Sequence, residues 1–153
     1  GEDDTASHGW VHKALVAARL KNADSCYNSL MALMADNIYY TSLMADHYTH
    51  GGWGVFCTDT TIGTIGIIDE MLLYSNTGVI EALPALPDEW SEGSIEGLRA
   101  RTNAEVDLEW TVENVTLTIT SDKDQTIKVS VYGGEEQNVT FAEGETKTIT
   151  LQR

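Results

Sequence analysis

One stretch of the chain gathers side chains able to work on a polar ligand. In "ADHYTHGGWGVFCTDTTIG", His47, Tyr48, His50, Trp53 and Phe56 fall within ten residues, and a single carboxylate, Asp59, follows them. Aromatic rings beside polar tips suit a sugar, whose C–H face lies on a ring while acids and amides take its hydroxyls. Asp59 stands just before the apolar run "TIGTIGIIDEMLLYS". The start of a helix favours an anion, because the peptide dipoles point their positive ends there. An ionised aspartate in a cleft can orient or activate a water molecule. The plainer reading is that Asp59 and its neighbouring threonines cap the helix, a side-chain oxygen accepting an orphan backbone N–H. His47 and His50 lack the spacing of a metal pair, so neither a metal nor another cofactor is expected.

The elements that must position these residues divide in two. Residues 8–75 are rich in Ala, Leu, Met and Ile, and residues 91–153 in Thr, Val, Glu and Gly. The join, "LPALPDEWSEGS", holds both prolines, Pro84 and Pro87. The spacing predicts a helix over "SHGWVHKALVAARLKN", with Ser7 as cap and Trp10, Ala14, Ala17 and Leu20 on one face. A second helix, "ADSCYNSLMALMADN", carries Tyr27, Leu30, Leu33 and Met34, and a break at Asn22 and Ala23 makes the two a hairpin. "IYYTSLMADHYTHGGWG" starts helical or extended and ends in a glycine-opened loop. The helix after Asp59 is apolar on most sides, with Asp69 and Glu70 its charges, and "SNTG" stops it.

From "AEVDLEW" onward the pattern alternates with period two. Val115, Leu117 and Ile119 share one face of "VTLTITS"; Ile127, Val129 and Val131 share one face of "TIKVSVYG"; "ETKTITLQ" repeats the pattern. Four or five short antiparallel strands make a small sandwich or half-sandwich. The fold class is therefore α+β and segregated: a helical segment over 1–78, a linker over 79–92 and a β-sandwich over 93–153. Ile62, Ile65, Ile68, Met71 and Leu72 wrap more than one side of their helix. The helical half thus needs partners beyond the strand half, from a larger helical array or from self-association.

The 153 residues suffice for one domain or two small ones. A net charge of −15 and an isoelectric point near 4.3 argue against nucleic acid, which needs Lys and Arg to replace phosphate counterions, and against an anionic membrane surface. No apolar run reaches the length of a membrane-spanning helix. The start of the chain, "GEDDTASHGW", lacks the basic and apolar regions of a signal peptide, which is also how a mature or trimmed chain looks. Cys26 and Cys57 read as two buried thiols, with one disulfide as the alternative. The "NVT" triplets at Asn114 and Asn138 arise easily by chance in threonine-rich strands.

Several blocks together resemble the C-terminal part of glycoside hydrolase family 95, the α-L-fucosidases. They are "ADH" at 45–47, "FCTDTTIG" at 56–63, "DEMLLYS" at 69–75, "LPALPDEW" at 83–90 and "GSIEGLRAR" at 93–101, with "GW" at 9–10 and "ARL" at 18–20 adding to them. The resemblance covers roughly residues 8–110. It implies the end of an (α/α)6 barrel followed by a β-domain, in an enzyme that removes terminal α-L-fucosyl residues with inversion. It also implies an upstream Glu as general acid and a water activated by an Asn pair and an Asp. Of these, the Asp maps onto this chain, at Asp59; His47 and Trp53 are candidates for the cleft wall. Thr60 and Thr61 stand where the family often has Gly or Ala and Asn, which leaves a galactosidase-like or divergent subgroup open. An inverting site needs two carboxyl groups in unlike states. Glu81, Glu89 and Glu92 fall in the linker, without a setting that would raise a pKa.

The preferred expectation is the C-terminal piece of a fucosidase-type hydrolase from a secreted, cell-surface or periplasmic bacterial parent. Such a piece meets its glycan substrate through an upstream region and is inactive alone. The alternative is a non-catalytic carbohydrate-binding or structural module in which Asp59 caps. With either, copies of the chain could associate as a homo-oligomer through exposed helices.

Overall fold

A computed structural model describes residues 6–35, 44–47 and 55–153. The chain forms two compact units, Gly1–Met71 and Leu72–Arg153.

The first unit holds α1 (Ser7–Arg19), α2 (Ala23–Ala35) and α3 (Thr58–Leu72). The turn between α1 and α2 falls where the sequence places it. Lys21 takes a left-handed φ of 58°, and the Lys21 and Asn22 N–H groups donate back to the Ala18 and Ala17 carbonyls. These two bonds satisfy orphan carbonyls at the end of α1. Asn22 then opens α2, its side-chain oxygen accepting the Ser25 N–H at 2.9 Å.

The buried stripes differ from those the sequence suggests. On α1 the inner residues are Ser7, Val11, Ala14, Ala17 and Ala18, so Ala14 and Ala17 of the expected face are buried, while Leu20 is 75% exposed and Trp10 half-buried. On α2 they are Cys26, Leu30 and Leu33, with Met34 exposed. On α3 they are Thr60, Thr64, Ile67 and Met71, each stripe following the helical repeat. Of the residues expected to wrap α3, Ile62 and Ile65 are 70% and 64% exposed, whereas Met71 and Leu72 are buried. The reason is close packing. A Cβ on Gly63 would lie 2.5 Å from Val11 Cγ1, so α3 turns its glycine and threonine side to α1 and leaves the bulkier isoleucines outside.

The second unit has eight strands: β1 (Leu73–Asn76), β2 (Val79–Ala82), β3 (Gly93–Ala100), β4 (Ala104–Trp110), β5 (Asn114–Ser121), β6 (Gln125–Val131), β7 (Gln137–Phe141) and β8 (Thr146–Gln152). They form two four-stranded sheets, β1-β2-β6-β7 and β3-β4-β5-β8. The alternating residues Val106, Leu108, Val115, Leu117, Ile119, Ile127 and Val129 are buried, as a sandwich requires.

Two expectations change, and one strand lies where the alternation does not mark it. The segment "SNTG", read as a helix stop, is a hairpin turn in which Asn76 pairs with Val79 and Gly78 takes φ 70°. Residues 79–82, expected in a linker, form β2 and lie parallel to β6, so the sandwich is not wholly antiparallel. And β3 carries a bulge between Ile95 and Leu98, where Gly97 (φ 75°) donates its N–H to Asp107 Oδ1 at 2.8 Å. The extra residue breaks the alternation that marks a strand in sequence.

Candidate functional site

Asp59 occupies the first turn of α3 and is exposed. Because the helix begins at Thr58, Asp59 lies inside it and not at the capping position before it. Its carboxylate makes no hydrogen bond among the described residues. Among the described residues only its backbone places this side chain, and what fixes that backbone decides where the carboxylate points.

The backbone is fixed by hydroxyls. Residues 44–47 run antiparallel to 55–57, through an Asp46–Phe56 bridge and bonds from His47 N–H to the Val55 carbonyl and from Cys57 N–H to the Ala45 carbonyl, both 2.7 Å. The start of α1 closes on this pair. Ser7 N–H donates to the His47 carbonyl at 2.7 Å, and Ser7 Oγ donates to the Asp46 carbonyl at 2.7 Å. Ser7 Oγ also lies 2.6 Å from Thr60 Oγ1. A serine has one hydroxyl hydrogen; since it goes to the carbonyl, Thr60 must be the donor in the second bond. Thr60 thereby ties the residue next to Asp59 to α1. Thr61 Oγ1 accepts the Ala45 N–H at 3.2 Å and donates to the Cys57 carbonyl at 3.3 Å, and Thr64 Oγ1 donates to the Thr60 carbonyl at 2.8 Å. Ser7, Asp46 and Thr60 are all fully buried. Polar groups go there at a cost unless they are bonded, so the cluster specifies one arrangement of the three segments.

By type and position Ser7 reads as a cap and Thr60 as a departure from a motif. α1 has no side-chain cap bond, and the Ser7 hydroxyl is spent on the cluster. The signal was present: Thr60 and Thr64 lead the stripe that continues to Ile67 and Met71, so a helical wheel already turns them inward.

His47 is half-buried, and its ring lies 5.0 Å from that of His8, which is 6.0 Å from His12. Trp53, Tyr48 and His50 lie outside the described residues. Phe56 is described, and it is exposed. Among the described residues no group of three His, Cys, Asp or Glu side chains is arranged to hold a metal ion. Cys26 and Cys57 are free and buried, and burial pushes the Cys26 thiol up to about 11, which leaves it protonated and unreactive at neutral pH. Asp69, in the last turn of α3, is raised above the usual aspartate value by burial first and by the neighbouring Glu70 second.

The remaining motif blocks do structural work in the second unit. Leu83 holds a left-handed φ of 56° and donates its N–H to the Leu72 carbonyl at 2.8 Å. Trp110 donates its indole N–H to the Trp90 carbonyl at 3.0 Å, and a Cβ on Gly93 would lie 2.5 Å from the Trp110 ring. Arg101 N–H donates to Ser75 Oγ at 2.9 Å.

Comparison with known proteins agrees with these motifs. The family model for the "Glycoside hydrolase family 95, C-terminal domain" matches residues 74–152. The "Alpha-L-fucosidase 2" of Arabidopsis thaliana is 32% identical over 116 residues, covering 70% of this chain and 14% of that protein. The "Probable alpha-fucosidase A" of Aspergillus oryzae is 30% identical over 121 residues, covering 70% of this chain and 16% of that protein. Among solved structures, "Putative kojibiose phosphorylase from human microbiome" matches 97% of this chain and 20% of its own, with a TM-score of 0.54 at 14% identity, a likeness of fold alone. The chain thus spans a small part of the length of the curated relatives it matches. With the family model covering β1 to β8, the chain belongs to glycoside hydrolase family 95 and carries that family's C-terminal domain.

Proposed function

We propose that this chain is the C-terminal part of an inverting hydrolase that removes terminal α-L-fucosyl, or closely related, residues from glycans. Asp59 is the base of that reaction. It takes a proton from the water that attacks the anomeric carbon, while an upstream Glu protonates the departing glycosidic oxygen. His47 and Trp53 bind the sugar. The helical unit is the end of an (α/α)6 barrel, and the chain alone, lacking the acid, is inactive.

The observation that carries this reading is the state of Asp59: an exposed carboxylate without a bonding partner among the described residues, in a turn whose backbone is tied down by buried hydroxyls. A capping aspartate would be bonded to a backbone N–H. The exposed faces of the helices support the barrel. Val16 and Leu20 along α1 and Ile62 and Ile65 on α3 are all exposed, and apolar surface of this kind suits a neighbour that covers it.

The test is to express the chain joined to the coding sequence that precedes it and to assay aryl and 2′-linked fucosides, beside the isolated 153-residue chain. The joined protein hydrolyses them with inversion, and the isolated chain does not. Turnover by the isolated chain that disappears in Asp59→Ala would overturn the assignment of the acid to an upstream region. A joined protein that binds fucosides without cleaving them would make this a binding module.

A further inference from the structure

We infer that Ser7 and Thr60 are positioning residues for the proposed hydrolysis, acting through the backbone of Asp59 and His47; the inference rests on the reading of Asp59 as the base. Ser7 bonds to both segments at once. Its N–H and Oγ hold the carbonyls of His47 and Asp46, and its Oγ receives the Thr60 hydroxyl hydrogen. Thr60 follows Asp59 directly, and its side chain points inward, where Ser7 is, while that of Asp59 points out. The Ser7–Thr60 bond therefore acts, with the Gly63–Val11 contact and the Thr61 bonds, to set the roll of the first turn of α3 about its axis. Rolling that turn swings the Asp59 carboxylate, because no bond among the described residues restrains the side chain itself. The same serine holds the His47 carbonyl through its N–H and the neighbouring Asp46 carbonyl through its hydroxyl, so one buried residue keeps both candidate residues in register.

Packing alone does not require this arrangement. Alanine and valine would fill the same space, as Val11 and Ile67 do further along the two stripes. The bonds add direction, which apolar contacts lack, and a misplacement of about 1 Å at a reacting group costs about 100-fold in rate.

The experiment uses the joined enzyme and a fucoside substrate, with kcat and KM measured well below the melting temperature. Ser7→Ala is expected to lower kcat about 10- to 100-fold with KM changed less than about 3-fold. Thr60→Val, which keeps shape and loses the hydroxyl, also lowers kcat, and Thr60→Ser, which keeps the hydroxyl, restores most of it. This pair answers the question even if Ser7→Ala fails to fold. In an Asp59→Asn background, Thr60→Val causes no further loss and Ser7→Ala loses only the smaller part that runs through His47, since the main group they position is gone. Wild-type kcat in Thr60→Val, or the same factor lost in both backgrounds, would overturn the inference while leaving Asp59 as the base. Wild-type kcat in Asp59→Asn would overturn both.

Discussion

Hydroxyl pairs bridge neighbouring segments in both units, in opposite surroundings. In the first unit Ser7 and Thr60 meet at 2.6 Å with no solvent access. In the second, Thr116–Thr150, Thr118–Thr148 and Thr120–Thr146 form a ladder between β5 and β8 at 3.2, 3.2 and 2.8 Å, on the solvent face of the sheet. The contact is similar and its worth is not. Water replaces a lost partner on the sheet surface, whereas at Ser7 and Thr60 it has no access. The second unit is held by the alternating apolar residues behind its threonines; the first places polar bonds where a bundle of this size would ordinarily bury methyl groups. Polar specification of this kind belongs with a site that must be held in one geometry.

The largest effect should come from the inner face of the sandwich. Leu117 is fully buried on β5, and Leu117→Ala is expected to destabilise the second unit by about 2–5 kcal/mol in a denaturant titration. A cost below about 1 kcal/mol would mean that the apolar layer is not what holds this unit.

Next comes the buried serine. Ser7→Ala removes both bonds of its hydroxyl, to the Asp46 carbonyl and to Thr60, at about 1–3 kcal/mol; Thr60→Val keeps the Ser7–Asp46 bond and should cost less. The reverse order would contradict the donor assignment made above.

Acid titration should move the two units in opposite directions. Asp69 is raised by burial and by Glu70, so its contribution to stability is complete below the ordinary value of 3.8 and is lost as pH rises through its folded value. Asp69→Asn should therefore melt higher than the parent at pH 7, with the gap closing toward pH 4. Glu145 is lowered, first by the Ala142 N–H and then by Lys147. Its contribution is present above the ordinary value of 4.5 and is lost as pH falls through its folded value. Glu145→Gln should melt slightly lower at pH 7, and that gap closes as the solution is acidified. Melting curves of the two variants from pH 3 to 7 check both signs.

The smallest effect belongs to the ladder. Thr118→Val should change stability by no more than about 0.5 kcal/mol in either direction, because the Thr148 hydroxyl turns to water. A loss equal to that of Ser7→Ala would erase the contrast between the two units.

The parts of this fold legible in sequence are those where one periodicity runs unbroken. β4, β5, β6 and β8 alternate cleanly, and the α1–α2 turn is marked by Asn22. β1 and β2 were hidden because four residues are too few to show a period, and the apolar run of α3 continues into them through Leu72 and Leu73. β3 was hidden by its bulge at Gly97. At the candidate site Asp59 and His47 were legible from their types and from the motif. Ser7 and Thr60 were not, because a serine or threonine beginning a helix reads as a cap, and nothing local says that its hydroxyl reaches a segment distant in sequence.

The most direct test of the account is the kinetics of Asp59→Asn in the enzyme that includes the preceding sequence. The substitution keeps the size and exposure of the side chain and removes its capacity to take a proton. The account predicts a fall in kcat of about 100-fold or more with KM changed only a few-fold, since a base acts in the transition state and not in ground-state binding. A variant that kept the wild-type kcat would contradict it and return Asp59 to the role of a helix-terminal charge.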